Sequence, residues 1–319
     1  MAAQFESFDD DLGELRLRCQ SDDAGIRRVA MLELSEAFDP EAIDLLIGGL
    51  GDADAGVREA AAKSLDEHDG PEVVRALVVA LEDSIPAVRA AAAETLAEKK
   101  DCGCNDLLIE RASHPDPFVR SAALRALRQL RDPEAMAASL RALQDPVPDV
   151  RREALGVLGY LKAEEALPAL MNAAQDSDAT VRRTAMASLV FSKPGSHGAA
   201  SLVKGLSDIH WQVREEAAAS IGKARLEEAV PSLIACMADE YWQVRLKAAN
   251  ALGRLKARDA IRVLGEALQH NISNLRKEAA AALGEIGDAG AVPVLNAAAN
   301  DPDPDVRKLV RWALDRCAA

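Results

Sequence analysis

The residues of this chain best suited to chemistry are a pair of thiols. The stretch KKDCGCNDLL sets Cys102 and Cys104 two residues apart. A C-x-C pair can hold a soft metal or pass on a cluster, but two thiolates make only half of a tetrahedral site. His68 falls in the equivalent loop two helices earlier, and His114 lies ten residues beyond Cys104, so the spacing completes no ligand set. Cys102 and Cys104 are therefore weak metal candidates whose other ligands would come from a partner, and incidental thiols are the expectation. The five cysteines, Cys19, Cys102, Cys104, Cys236 and Cys317, are odd in number and lack a framework spacing, which reads as reduced thiols rather than a disulfide scaffold. There is no glycine-rich phosphate loop after a strand, no H-E-x-x-H and no nucleophile elbow. No catalytic residue and no cofactor is expected.

The second candidate chemistry is recognition. DIHWQVR at 208–214 and DEYWQVR at 239–245 place Trp211 and Trp242 31 residues apart in a chain that is 3% aromatic. What that slot is depends on the elements that carry it.

A period of 31 runs through the sequence. An aliphatic residue followed by Arg recurs ten times, from Ile26-Arg27 through Val213-Arg214 and Val244-Arg245 to Val306-Arg307. Eight of the nine intervals are 31 residues and one is 32, the extra residue being placed in the loop FSKPGSHG. Alanine stands three residues after each Arg, Val310 excepted, and Leu or Ile stands seven after. Offsets of −1, +3 and +7 trace one face of an α-helix. Twelve residues before the Arg a second column runs Leu15, Leu46, Leu77, Leu108, Ser139, Leu170, Leu202, Leu233, Leu264, Leu295, which belongs to another helix. Asp23, Asp54, Asp116, Asp178 and Asp303 sit four before the Arg as N-caps, and Pro86, Pro117, Pro148 and Pro304 occupy N1, where a missing N–H costs nothing. Each repeat is then a pair of short helices that buries its apolar stripe only by stacking on the next pair. The expected fold is all-α, a solenoid of ten two-helix repeats of about 31 residues. It is read as one array over 1–319, with 1–20 as the N-terminal tail and first helix of repeat 1 and 288–319 as the last repeat.

The units DPDPDVRKLVRWAL, DSDATVRRTAMASL and AVPSLIACMADEYWQVRLKAANALGRL resemble HEAT repeats, in particular the short HEAT-like repeats of the phycobilin lyase type, over almost the whole chain. The resemblance implies a ladder in which an Asp six residues before the Arg bonds between neighbouring repeats. Asp52, Asp83, Asp145, Asp176, Asp208, Asp239 and Asp301 match that position, whereas Ser21, His114 and His270 depart from it, leaving the ladder open at repeats 1, 4 and 9.

In this frame Trp211 and Trp242 fall at N1 of the second helix, a rim position that holds alanine or proline in seven of the other eight repeats. The Asp cap before them becomes His210, Tyr241 and Ile272 in three successive repeats, and Gln212, Gln243 and Asn274 follow as a column of amides. Losing an Asp cap costs about 1 kcal/mol of helix stability. Aromatics flanked by amides on a rigid edge match the chemistry of interface hot spots; the competing reading has each indole lying flat on the neighbouring repeat's loop. At the last helix, RKLVRWALDRCAA, Leu309 and Trp312 mark either a partner contact or an imperfect cap.

Charge narrows the partners. Residues 1–110 carry 26 acidic against 10 basic residues, a balance of −16, and residues 111–319 carry 26 against 28, a balance of +2. An acidic field repels phosphate backbones, so nucleic acid is not an expected partner. No run reaches the roughly 20 apolar residues of a membrane span, and MAAQFESFDDD does not read as a secretory signal; no membrane partner and a cytoplasmic location are expected. The leading expectation is a non-catalytic scaffold or accessory factor that holds another protein. The C-x-C loop inclines that expectation toward metalloenzyme maturation, and the run HNISNLRKEAAAALGEIG resembles HEAT-repeat proteins that accompany nitrogen-fixation and iron-sulfur assembly systems, which implies a metalloenzyme or its maturation intermediate as partner. The alternative is a phycobilin lyase-like subunit acting on a tetrapyrrole-carrying protein.

Overall fold

Capping residues start the helices where the sequence places them. Asp23, Asp54, Asp116, Asp178 and Asp303 each accept a first-turn backbone N–H through the side chain. Other second helices open directly on Pro86 and Pro148. The computed structural model describes residues 5–37, 39–100 and 103–318, which are helical or irregular with no strand among them.

Two compact units divide the chain, Met1–Leu161 and Lys162–Ala319. In the first, α1 (Phe5–Cys19) pairs with α2 (Ala24–Leu34), α3 (Pro40–Gly49) with α4 (Ala55–Ser64), α5 (Pro71–Ala80) with α6 (Pro86–Glu98), α7 (Asn105–Arg111) with α8 (Pro117–Leu130), and α9 (Ala135–Ala142) with α10 (Pro148–Leu161). In the second, α11 (Leu167–Ala173) pairs with α12 (Ala179–Ser188), α13 (His197–Gly205) with α14 (Trp211–Ala224), α15 (Val230–Cys236) with α16 (Trp242–Arg254), α17 (Ile261–Ala267) with α18 (Ser273–Ile286), and α19 (Val292–Ala297) with α20 (Pro304–Cys317). Within each unit the second helices of successive pairs pack on one another. Each unit is thus an α-solenoid of five helix pairs. Among the described residues no helix is long and apolar enough to cross a membrane.

The core is the set of columns that recur with the period. Val57, Val88, Val119, Val150, Val181, Val213, Val244 and Val306, and the alanines from Ala30 to Ala279, are buried. Ser139, the one break in the leucine column, is also fully buried, and its hydroxyl has no hydrogen-bond partner.

Glycine sets how closely the second helices approach in the second unit. A Cβ on Gly222 would lie 2.8 Å from Cα of Ala251, and one on Gly253 would lie 2.8 Å from Cα of Ala282. Elsewhere in a helix Gly→Ala stabilises by about 1 kcal/mol. Here Gly253→Ala is expected to destabilise by about 1–3 kcal/mol, because backbone must move to admit the methyl. Urea unfolding of the variant measures the sign, and a gain in stability would refute the close-approach role.

The expected ladder is built within each unit. Asp52, Asp83 and Asp145 receive Arg27, Arg58 and Arg120 of the preceding repeat; in the second unit Asp208, Asp239 and Asp301 receive Arg182, Arg214 and Arg276. The rung between Arg214 and Asp239 is typical: Nε and Nη2 reach the two carboxylate oxygens at 2.7 and 2.9 Å, while Nη1 donates to the Asp208 carbonyl at 2.8 Å. The same carboxylate accepts the Tyr241 N–H at 2.9 Å. Each rung therefore orders its own loop and ties it to the next repeat with charge-assisted bonds.

Candidate functional site

The described thiol of the C-x-C loop is packed inside the fold. Cys104 occupies the residue before α7 and is buried, with Sγ against the Pro71 carbonyl at 3.5 Å; Cys102 lies outside the described residues. His68 is also buried, and burial holds its imidazole below the usual histidine range. His114 spends Nδ1 on the Asp116 N–H at 3.1 Å, and its Nε2 lies 3.5 Å from a Glu82 carboxylate oxygen. No group of three or more His, Cys, Asp or Glu among the described residues is placed to hold a metal ion. Cys236 is a poor nucleophile, since burial pushes its thiol up to about 11.

The tryptophan slots are N1 positions. Trp211 opens α14 behind His210, Trp242 opens α16 behind Tyr241, and Ser273 opens α18 behind Ile272. None of these three N-cap side chains makes a capping bond. Trp211 is half-buried and stacks on Tyr241 of the next repeat, with ring centroids 5.4 Å apart and planes 16° from parallel. The Arg214 guanidinium lies 5.8 Å from the same tyrosine ring while holding Asp239. One face of the Trp211 indole is thus spent inside the fold, because N1 of one repeat stands beside the N-cap of the next. Trp242 is also half-buried, and one repeat beyond Tyr241 the cap is aliphatic Ile272.

The amide column is not uniform. Gln212 and Asn274 are exposed, whereas Gln243 is half-buried with its Oε1 shielded and unpartnered. His210 is exposed, and Tyr241 is 39% exposed despite the stack. Trp312 is 40% exposed, with its ring set over Gly284 and the Arg316 guanidinium 5.6 Å from the ring centroid.

Sequence reasoning passed over Ile209. At 86% it is the most exposed of the large hydrophobic side chains described, and it stands two residues from Trp211. The equivalent positions hold Asp22, Ala53, Ser84, Pro115, Pro146, Ser177, Glu240, Asn271 and Pro302. Comparing that column would have singled Ile209 out as the one large aliphatic residue in a loop slot that needs none.

Stacked helix pairs joined by an Arg–Asp ladder define a repeat protein of the α-solenoid class. The chain belongs to the HEAT-repeat family: HEAT repeats match residues 13–85, 75–143, 137–221 and 230–315. A PBS lyase HEAT-like repeat matches residues 213–239, which include the second tryptophan's loop up to Asp239. No curated protein matches the sequence. Among solved structures, an engineered protein is 23% identical with TM-score 0.52, covering 97% of this chain and 99% of its own. The YIBA_ECOLI protein is 20% identical with TM-score 0.56, covering 93% and 97%. Kap95p, solved in a complex with RanGDP, is 14% identical with TM-score 0.63; this chain is covered to 92% but spans only 49% of Kap95p. At these identities the likeness is one of fold.

Proposed function

We propose that the chain is a non-catalytic scaffold that holds another protein, and that the second unit's rim of Ile209, Trp211, Tyr241 and Trp242 is where it does so. HEAT-repeat solenoids generally bind other proteins, and the observation that carries the site is Ile209: a large aliphatic side chain held in water at 86% exposure beside a stacked Trp–Tyr pair. An aliphatic side chain so exposed adds little to the monomer's stability and supplies anchor area to a partner. Ile209→Asp should leave the melting temperature within about 1 °C of wild type, since a surface residue without contacts contributes little. Capture of the native partner from extract should fall about thirtyfold or more, as for a hot-spot residue. Undiminished capture by Ile209→Asp would rule the rim out. Trp242→Ala is the companion variant; Trp211→Ala is less clean, because losing its stack on Tyr241 removes about 0.5–1.5 kcal/mol of fold stability.

The narrower reading, an accessory factor for a metalloenzyme or its maturation intermediate of nitrogenase or iron-sulfur type, rests on the C-x-C loop and the HNISNLRKEAAAALGEIG resemblance. A second reading, a subunit of a phycobilin lyase acting on a tetrapyrrole-carrying protein, is favoured by the match at 213–239. Retention of a linear tetrapyrrole by the purified chain, seen as visible absorbance after desalting, separates the two.

A further inference from the structure

Histidine replaces the ladder aspartate at two places in the described repeats, and the fold treats the two breaks differently. At the first, in unit one, Arg89 turns to the N-cap Asp116, Nη2 to Oδ2 at 2.7 Å, and its guanidinium lies 4.4 Å from the Phe118 ring centroid. His114 faces Glu82, which also meets Arg111 at 3.4 Å. Three side chains, Asp116, Phe118 and Glu82, thereby close the gap.

At the second break, in unit two, all three are missing. The positions of Asp116, Phe118 and Glu82 are taken by Ile272, Asn274 and Ala238. Arg276 is fully engaged, with Asp301 at 2.7 and 2.8 Å and with the His270 and Asn271 carbonyls. Asp239 is held by Arg214. Arg245 is left with no hydrogen bond or ion pair among the described residues, and its Nε is buried without a partner. A shielded, unpaired guanidinium N–H is costly unless something meets it. His270 accepts the Ile272 N–H on Nδ1 at 3.1 Å, so its neutral ring carries the proton on Nε2 as a donor. Burial, with the Arg245 and Arg276 charges, holds that ring below the usual histidine range and therefore neutral near pH 7. Arg245 and His270 line a cavity of about 420 Å³, with Ile234, Met237, Val263 and Leu275 among its apolar walls; Glu266 lines it too, but its carboxylate is paired with Arg262.

We propose that this cavity is a carboxylate-binding site, in which an aspartate or glutamate side chain of a bound protein takes the place of the missing rung between Arg245 and the repeat that carries His270. The six rungs described above show what the guanidinium at this position is built to hold: a carboxylate met side-on through Nε and Nη2. The apolar walls suit the methylene stem of such a side chain, and with Glu266 spent on Arg262 the cavity keeps the positive charge of Arg245, which selects an acidic side chain over its amide. The assignment of a protein as the source rests on the scaffold reading; the carboxylate site itself does not.

The test uses the full chain, with arginine side-chain ¹⁵N resonances and titration calorimetry as readouts and three probes: acetate, the peptide acetyl-Ala-Leu-Glu-Leu-Ala-amide, and its Gln analogue. The Arg245 Nε resonance, identified by its loss in Arg245→Gln, should shift with acetate and with the Glu peptide. The Glu peptide should bind at least about tenfold more tightly than the Gln peptide, as a charge-assisted pair does over a neutral one. His270→Asp should rebuild the rung from within: binding is lost and the melting temperature rises by about 2–4 °C. Arg245→Gln should lose the peptide at least tenfold and serves if His270→Asp does not fold. No response of Arg245 to either carboxylate, or full binding by His270→Asp, overturns the site. A Glu peptide that binds no better than acetate overturns the assignment to a protein side chain. Loss of the scaffold rim is read separately, through Ile209→Asp, which touches neither Arg245 nor His270.

Discussion

Lys99→Met is expected to destabilise the first unit by about 3–5 kcal/mol, more than any other single side-chain change proposed for this chain. Lys99 follows the last turn of α6 and is only 4% exposed. Its ammonium donates to three carbonyls at the end of the preceding repeat's second helix, those of Leu65, Asp66 and His68, at 2.9, 2.6 and 2.8 Å. The end of a helix leaves carbonyls without intrahelical partners. Here one cation satisfies those of Asp66 and His68 and adds a second donor to that of Leu65, which already accepts the His68 N–H at 3.2 Å, and the negative end of the helix dipole favours the charge. Methionine fills much the same volume but donates nothing, so the Asp66 and His68 carbonyls are stranded in a region that water does not reach easily, and Leu65 keeps only the His68 N–H. The neighbouring Lys100 is exposed, and Lys100→Met is the control. Urea unfolding of the two variants should separate them; a Lys99→Met midpoint indistinguishable from that of Lys100→Met would mean that the carbonyls find water at no cost.

Lys99 also shows where sequence reading stops. The columns that repeat every 31 residues were legible because ten copies average out accident: the valine, alanine and leucine faces, the Asp caps, the N1 prolines and six rungs of the ladder stand where the period puts them. What a period cannot report is a residue that occurs once. KK at 99–100 reads as a solvated pair, yet one of the two is buried because the preceding helix ends beside it. Ile209 was hidden in the same way, as one residue of a loop. The tryptophans were half legible. Their N1 position followed from the period, but the stack of Trp211 on Tyr241 joins two different slots of adjacent repeats, and that offset is set by how the pairs pack. His114 and His270 looked alike as departures from the ladder, and only their surroundings distinguish a repaired gap from an open one.

The ladder makes a second large effect, on acid stability, and its sign follows from which groups are shifted. Arg27 beside Asp52, Arg58 beside Asp83 and Arg276 beside Asp301 hold those carboxyls below the ordinary aspartate range through paired hydrogen bonds. Asp208 and Asp239 are also lowered: burial opposes ionisation, but the bonds from Arg182 and Arg214, with a backbone N–H each, outweigh it. A carboxyl whose folded value lies below its unfolded value of about 3.9 contributes stability that is complete above that value and disappears as pH falls through the folded one. Each proton that the unfolded chain binds and the native chain does not costs about 1.4 kcal/mol per pH unit. Five such groups acting together give a slope that approaches about 7 kcal/mol per pH unit at most, between their folded values and the unfolded value of about 3.9. The melting temperature should therefore decline gently between about pH 7 and 5, as the unfolded chain protonates His68 and His270 before the folded chain does, and then collapse steeply below about pH 4. Asp239→Asn removes one titrating rung, so the variant should be less stable than wild type at pH 7 and nearly equal to it at pH 2.5. Melting temperatures across the range decide it: a wild-type profile flat from pH 5 to pH 2.5 would show that the rungs order the loops without stabilising the fold.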